Sequence, residues 1–189
     1  MIVDGPDGVI FNLVQPEGSR ETQVGRVRAF LDARGLTETG FTEVVTTAHH
    51  VASMDQALRF FRGALGLEVL IDEVFDNPAS NRFLDLPEGA RSWIVFLKGD
   101  SLFGKVALMQ PLNFEAPSFV DRMVAPNVGY LAMGFDVDDL RDAVSRSMDV
   151  GAELYSGPDE LELPGLGRRE SVLLRTPGSG ALTQLIAAR

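Results

Sequence analysis

Residues 53–69, SMDQALRFFRGALGLEV, decide the fold. Apolar side chains recur there at helical spacing, which predicts one amphipathic helix. Ser53 precedes the run as a candidate N-cap, and Gly66 follows it as a stop signal. Beyond Gly66 the chain changes to short runs rich in Val, Ile, Leu and Phe, which are typical of strands. The predicted buried stripe of the helix comprises Met54, Ala57, Leu58, Phe61 and Leu65.

The same order of elements occurs a second time. The first unit, about residues 42–112, reads as strand 42–51, the helix, and strands 67–74, 81–87, 91–99 and 104–112. The second, about residues 128–188, reads as strand 128–137, a helix within 138–151, and strands 152–157, 161–167 and 170–187. Asp138 or Asp139 is the predicted N-cap of the second helix, and its predicted stripe is Leu140, Val144 and Met148. The repeat predicts an α+β fold built from two β-α-β-β-β units.

Residues 1–40 form a separate N-terminal extension. A turn and strand are predicted over residues 6–16, and an amphipathic helix over residues 20–35. The helix would bury Val24, Val27, Phe30 and Leu31. The strand resembles the last strand of the chain, which leaves three interpretations open. It is the closing strand of a preceding unit in a longer tandem protein, or it adds to the edge of a sheet in its own chain or in a partner. The third interpretation is a local extension.

Composition excludes several function classes. The formal charge of −10 over 189 residues disfavours binding to phosphate backbones and to anionic lipid. The chain has no Cys, which excludes disulfides and thiolate metal sites. It begins without a basic, apolar leader pattern and contains no apolar run long enough to span a bilayer. We therefore expect a cytoplasmic protein with no nucleic-acid or membrane partner.

Short motifs in both units resemble those of the vicinal oxygen chelate superfamily, which includes glyoxalase I, bleomycin-resistance proteins and extradiol dioxygenases. The matching residues are Met54-Asp55, Phe60-Phe61-Arg62 and Leu65-Gly66-Leu67 in the first unit, Val137-Asp138-Asp139-Leu140 in the second, and Pro6-Asp7-Gly8 in the extension. The resemblance implies that residues 41–189 form a half-open barrel around one cavity. It also implies a homodimer and a small-molecule ligand.

The superfamily's metal-ligand positions carry unusual residues here. By the resemblance, these positions fall at Thr46, Gln110, Ala132 and Gln184, with Asn12 as a further match on the opening strand. None is a histidine or a carboxylate, whereas a divalent transition metal requires several such donors. We therefore expect no metal and no other cofactor in the cavity.

The chain has only two histidines, and they are adjacent. Neighbouring residues on a strand point to opposite faces, so only one of them can enter the cavity. His50 shares the face of Thr46, where it is either a general base or ligand donor, or a histidine at the rim of a strand. His49 is expected to face the helix layer or solvent.

Several other side chains are weaker ligand-binding candidates. Gln110 and Gln184 would face each other across the cavity and bind either a ligand or each other. Arg168 and Arg169 either hold an anionic ligand or form a solvated hairpin tip. Trp93, Phe96 and Tyr130 form either an aromatic wall or part of the core.

Three functions remain open. The first is a metal-free protein that binds or sequesters a small organic molecule. The second is a metal-free lyase, isomerase or hydrolase that uses His50 as its proton carrier. The third is a non-catalytic unit of a tandem dioxygenase- or glyoxalase-like protein, whose opening strand docks onto another subunit.

Overall fold

Two four-stranded mixed sheets, each with a helix against one face, make up the body of the computed structural model. The structure describes residues 2–5, 10–13, 23–35, 38, 40–42, 44–127 and 131–188. The helices are α1 (Gln23–Arg34), α2 (Met54–Leu58), α3 (Pro78–Phe83) and α4 (Leu140–Asp149), with a 3₁₀ turn at Val120–Arg122 between the units. The strands are β1 (Ile2–Asp4), β2 (Ile10–Asn12), β3 (Thr46–His50), β4 (Glu68–Phe75), β5 (Ser92–Lys98), β6 (Lys105–Pro111), β7 (Ala132–Asp136), β8 (Glu153–Leu163), β9 (Gly167–Arg175) and β10 (Leu182–Ala188). No helix in the described part of the chain is long and apolar enough to cross a membrane.

The two sheets repeat one topology. The first has the order β3-β6-β5-β4, and the second has the order β7-β10-β9-β8. In each sheet the first strand of the unit pairs in parallel with the last strand, and the other pairs are antiparallel. In both units the helix carries the chain from the first strand to the strand at the opposite edge, and two antiparallel steps then bring the last strand beside the first. The predicted α+β fold of two repeated units is confirmed.

The helix of the first unit begins and ends where the sequence predicted. The Ser53 side chain accepts a hydrogen bond from the Gln56 N–H, and Gly66 lies in the left-handed region with φ of 75°. After Leu58 the helix continues as a π-helix over Arg59–Ala64. The wider π turn brings two consecutive aromatic residues, Phe60 and Phe61, into the core, although the predicted stripe included only Phe61.

Helix α4 is capped by Asp139, whose carboxylate accepts a hydrogen bond from the Asp142 N–H at 2.9 Å. The predicted stripe of this helix is wrong at its end, because Met148 is 44% exposed. Ala143 and Ser147 face the core instead, and the Ser147 hydroxyl bonds to the Ala143 carbonyl at 2.7 Å. That bond gives the buried Ser147 hydroxyl a hydrogen-bond partner that it would otherwise lack.

Two strand predictions are wrong. Residues 81–87 do not form a strand, because helix α3 begins at Pro78 and runs to Phe83. The Asn77 side chain caps this helix by accepting from the Ser80 N–H at 2.8 Å, and proline is favourable in the first helical turn. In the second unit, residues 152–157 and 161–167 do not form two strands. Strand β8 covers Glu153–Leu163 without a break and absorbs irregularities in its register with β9.

The N-terminal extension contains a hairpin that the sequence did not predict. Strands β1 and β2 pair with each other in a separate two-stranded sheet, so β2 does not extend either four-stranded sheet of its own chain. Helix α1 buries Val27 and Leu31 as predicted, whereas Phe30 is 37% exposed. The predicted turn at residues 6–9 and the side chain of Val24 lie outside the described part of the chain.

One hydrophobic core joins the two units. The helix-side residues of both sheets belong to a single buried cluster, and the rings of Phe61 and Phe135 meet across the units at 6.0 Å. The β9–β10 turn also reaches the other unit, where the Gly178 carbonyl accepts hydrogen bonds from the N–H groups of Ala52 and Ser53 at 2.7 and 3.1 Å. These bonds lie at the N-terminus of α2.

Candidate functional site

Strand alternation divides each sheet into two faces. In the first sheet Val95, Val106 and Leu108 belong to the core cluster under the helices, so their face is the helix face. The residues between them point the opposite way, onto what we call the open face. The open face of the first sheet carries Thr46, Ala48, His50, Ser92, Ile94, Phe96, Lys105, Ala107 and Met109.

Much of the open face of the first sheet is covered by the chain itself. Ser92, Ile94, Lys105 and Ala107 are all at most 6% exposed. The Lys105 ammonium donates to the Leu102 carbonyl at 2.8 Å, and burial lowers the pKa of Lys105. Strand β3, at the edge of the sheet, leaves Ala48 and His50 exposed. On the inner strands Phe96 and Met109 remain half-buried, so the first sheet offers a ligand its β3 edge and these two side chains.

The open face of the second sheet has fewer buried residues, among them Ser171 and Leu182. Leu174 and Leu185 lie in the core cluster, so the residues that alternate with them face the other way. Leu173, Gln184 and Ile186 on this open face are half-buried, and Gly134 and Asp136 on β7 are exposed. The combination of apolar side chains with an amide is typical of small-molecule binding sites.

The two predicted glutamines do not face each other. Gln110 lies on the helix face of the first sheet, because it follows Val106 and Leu108 at two-residue spacing. Its Oε1 accepts a hydrogen bond from the Met54 N–H at 2.6 Å, at the N-terminus of α2. Gln184 lies on the open face of the second sheet and donates to the Ser171 hydroxyl at 3.2 Å. The predicted face is therefore wrong for Gln110.

The structure separates the two histidines by face. His50 lies on the open face with Thr46 and is exposed, and partial desolvation lowers the pKa of its imidazole. His49 points to the helix face opposite Leu108, and burial lowers its pKa from 6.5 to about 4. His49 is therefore neutral at neutral pH.

The predicted aromatic wall does not form as one surface. Trp93 lies on the helix face, whereas Phe96 lies on the open face of the same strand. The Trp93 indole N–H donates to the Asp72 carboxylate at 2.7 Å. Trp93 lines an open groove of about 230 Å³ with Asp72, Glu73, Val74 and Leu112. Tyr130 lies outside the described part of the chain.

The residues that the resemblance assigns to metal positions do not fit a transition metal. The open faces present a hydroxyl at Thr46, a methyl group at Ala132 and an amide at Gln184, while Gln110 points to the helix face. Asn12 pairs with Ile2 in the separate hairpin. Within the described ranges, no three histidine or carboxylate side chains are close enough to hold a metal ion. This donor set lacks the imidazole and carboxylate ligands that such metals require.

Arg175 and Tyr155 are open-face residues that sequence reasoning missed. Arg175 follows Leu174 at the end of β9, and its guanidinium lies 5.4 Å from the centroid of the Tyr155 ring. Tyr155 occupies an irregularity of β8, where Leu154 and Ser156 pair with consecutive residues of β9. A strand pattern read in strict alternation cannot place such a residue.

Comparison with solved structures shows the fold. A glyoxalase family protein from Bacillus cereus superposes with a TM-score of 0.64 at 21% identity, covering 77% of this chain and 92% of that one. A glyoxalase family protein from Enterococcus faecalis superposes with a TM-score of 0.51 at 18% identity, covering 77% and 98%. No protein-family model matches the sequence, and no curated protein matches it significantly.

The chain has the fold of these glyoxalase family proteins. The sequence motifs of the two helices predicted this fold, and the strand order of both sheets agrees with it. Because function depends on the residues placed on a fold, the open faces decide which chemistry the chain can perform.

Proposed function

We propose that this protein binds a small organic molecule on the open face of its second sheet, without a transition metal, and holds the molecule rather than converting it. The observation that carries the proposal is the accessible surface around Gln184, where apolar side chains flank an amide. Hydroxyl, methyl and amide groups at the superfamily's metal positions support binding without a metal.

Gln184 is the residue that would orient the ligand. Its Nε2 already donates to Ser171, whereas its Oε1 has no hydrogen-bond partner among the described residues. A half-buried amide oxygen with a free lone pair is suited to accept a hydrogen bond from a ligand N–H or O–H. Leu173 and Ile186, on the same face, would contact the apolar part of the ligand.

The proposed function predicts different effects for substitutions of the two glutamines. Small aromatic and carbonyl compounds would be titrated into ¹⁵N-labelled protein and followed by amide chemical shifts. Gln184→Ala should weaken the affinity for a bound compound about fivefold, because one ligand hydrogen bond is lost. Gln110→Ala should leave the affinity unchanged but lower the free energy of unfolding by about 1–2 kcal/mol, because the Met54 N–H loses its partner.

The compound recovered after incubation would be identified by mass spectrometry. An unchanged compound agrees with binding, whereas turnover would contradict it. Equal losses of affinity in Gln184→Ala and Gln110→Ala would also contradict the proposal, since only Gln184 lies on the accessible face.

We propose catalysis by His50 as the second candidate function. Its support is an exposed imidazole whose pKa is lowered by partial desolvation, so the neutral form that acts as a base predominates at neutral pH. No described residue donates or accepts a hydrogen bond that would orient the ring, which is why we place this function second. Turnover abolished by His50→Gln, with the fold intact, would favour it.

We also propose that the chain forms a homodimer through its N-terminal hairpin. Ile2, Val3, Ile10 and Phe11 are between 37% and 67% exposed on this hairpin. A two-stranded hairpin is marginally stable alone in water, and exposed apolar side chains on it are suited to pack against a second copy. This proposal also accommodates the third function, in which the opening strand docks onto another subunit.

Light scattering on the intact chain tests the homodimer. The expected mass is twice the 20.5 kDa of one chain. The double substitution Ile10→Ser and Phe11→Ser should shift the mass toward one chain. Val44→Ser, at an equally exposed apolar residue elsewhere, should not. A wild-type mass of one chain, or the same mass in all three proteins, would contradict dimerisation through the hairpin.

A further inference from the structure

Arg175 places a guanidinium on the open face of the second sheet. It follows Leu174, which lies in the core, so strand alternation directs its side chain away from the helices. Its register partner on β10 is Leu182, and Gln184 is the next β10 residue on the same face. The cation therefore shares the surface to which the proposed function assigns the ligand.

The interactions of Arg175 hold the guanidinium without neutralising it. Its Nη1 donates to the Gly180 carbonyl at 3.0 Å, and the group stacks on the ring of Tyr155. The register partner of Arg175 on β8 is Glu153, yet Arg175 forms no ion pair with any carboxylate of the described residues. Of the five guanidinium N–H groups, one donates to the carbonyl, and the others have no acceptor among the described residues.

The surroundings of the cation specify the rest of the ligand. Leu173 lies on the same face, and the Tyr155 ring is 45% exposed beside the guanidinium. An exposed aromatic ring and a leucine favour a flat apolar body, whereas the guanidinium fork matches a carboxylate. The chain as a whole carries a charge of −10 and repels anions, so a preference for an anionic ligand requires a local cation of this kind.

We infer that the open face of the second sheet selects a small organic acid, with Arg175 binding the carboxylate and Tyr155, Leu173 and Gln184 contacting the planar body. The inference rests on the proposed function and adds the chemical class of the ligand. Arg175 is a specificity-determining residue in this assignment, and no bond is made or broken.

Two compounds of matched shape test the assignment. The carboxylate 2-naphthoate and its neutral analogue 2-naphthamide would be titrated into the ¹⁵N-labelled chain, with dissociation constants taken from amide shifts on β9 and β10. Wild-type protein should bind the carboxylate about tenfold more tightly, as expected for a charge-assisted contact. In Arg175→Met that ratio should fall to about one, with the larger loss of affinity falling on the carboxylate.

Control variants separate a local contact from general charge. Arg168→Met removes the same charge at the β8–β9 turn, where Arg168 pairs with Glu162 at 3.8 Å, and should keep the tenfold preference. Arg175→Lys keeps the charge without the planar fork and should retain part of the preference for the carboxylate. A spectrum of ligand-free Arg175→Met whose amide shifts differ from wild type only near Arg175 shows that the face is still folded.

The possible failures are distinguishable. If wild-type protein binds both compounds equally, or if Arg168→Met and Arg175→Met lose the preference alike, the anion assignment is overturned while the proposed function stands. If neither compound shifts any amide of the second sheet, both are overturned. Equal losses of carboxylate and amide binding in Arg175→Met also overturn the assignment, because they would make Arg175 a structural residue.

Discussion

Gly178→Ala is expected to lower the free energy of unfolding by about 3 kcal/mol. Gly178 has a φ of 80°, in the left-handed region where a side chain is unfavourable. A Cβ at this position would also meet the backbone oxygen of Ser53 and, at 2.8 Å, the backbone nitrogen of Ala57. The β9–β10 turn would have to withdraw from α2, with loss of the hydrogen bonds to Ala52 and Ser53. Urea unfolding of wild type and variant measures the difference.

Gly165→Ala is the matched control for this prediction. Gly165 has a φ of 77°, yet an added Cβ would meet nothing within 4 Å. Gly165→Ala should lower the free energy of unfolding only by the conformational penalty, about 1 kcal/mol. Equal losses in the two variants would mean that the turn at Gly178 is not held against the first unit. A larger loss at Gly178 would show that this contact joins the two units.

The stability of the protein is expected to fall by about 2 kcal/mol between about pH 7 and about pH 5, mainly through His49. Burial lowers the pKa of His49 from 6.5 to about 4, so in this range the unfolded chain binds a proton that the folded chain does not. Stability is therefore full above pH 6.5 and is lost as the pH falls toward 4. Urea unfolding at a series of pH values measures the slope.

Substitution of the two histidines separates their contributions. His49→Gln should flatten most of the dependence above pH 5, where the carboxylates remain largely ionised. His50→Gln should flatten much less of it, because His50 is exposed on the open face and its pKa is lowered only by partial desolvation. If the stability of His49→Gln has the same pH dependence as that of the wild type, groups other than His49 cause it.

Local sequence signals predicted where helices α2 and α4 begin. Ser53 caps α2 as predicted, and Asp139, one of the two predicted residues, caps α4, because a capping bond depends only on residues within one turn. The repeated unit was readable for a related reason, since helical and strand periodicities alternate in the same order twice. The misplaced strand at residues 81–87 has a local cause as well, because Asn77 and Pro78 are helix-start signals that outweigh the apolar residues after them.

The faces of the strands were harder to predict. Counting along an unaligned strand placed Gln110 in the cavity, and an error of one residue reverses the face of every side chain. The structure instead shows Gln110 capping α2, a contact between residues that are 56 positions apart. Trp93 and Phe96 cannot form one aromatic wall, because residues three positions apart on a strand lie on opposite faces. Tyr155 escaped prediction because it occupies an irregularity in β8.

The sequence by itself determined the repeated architecture, the start of helix α2, that of α4 to within one residue, and the residue types at the expected metal positions. Each of these depends on residue type and local spacing, which are written in the chain. Only the tertiary structure decided that more residues are buried on the open face of the first sheet than on that of the second, and that Arg175 lies against the ring of Tyr155 there. Burial and long-range contacts follow from how distant segments pack, and no local pattern specifies that packing.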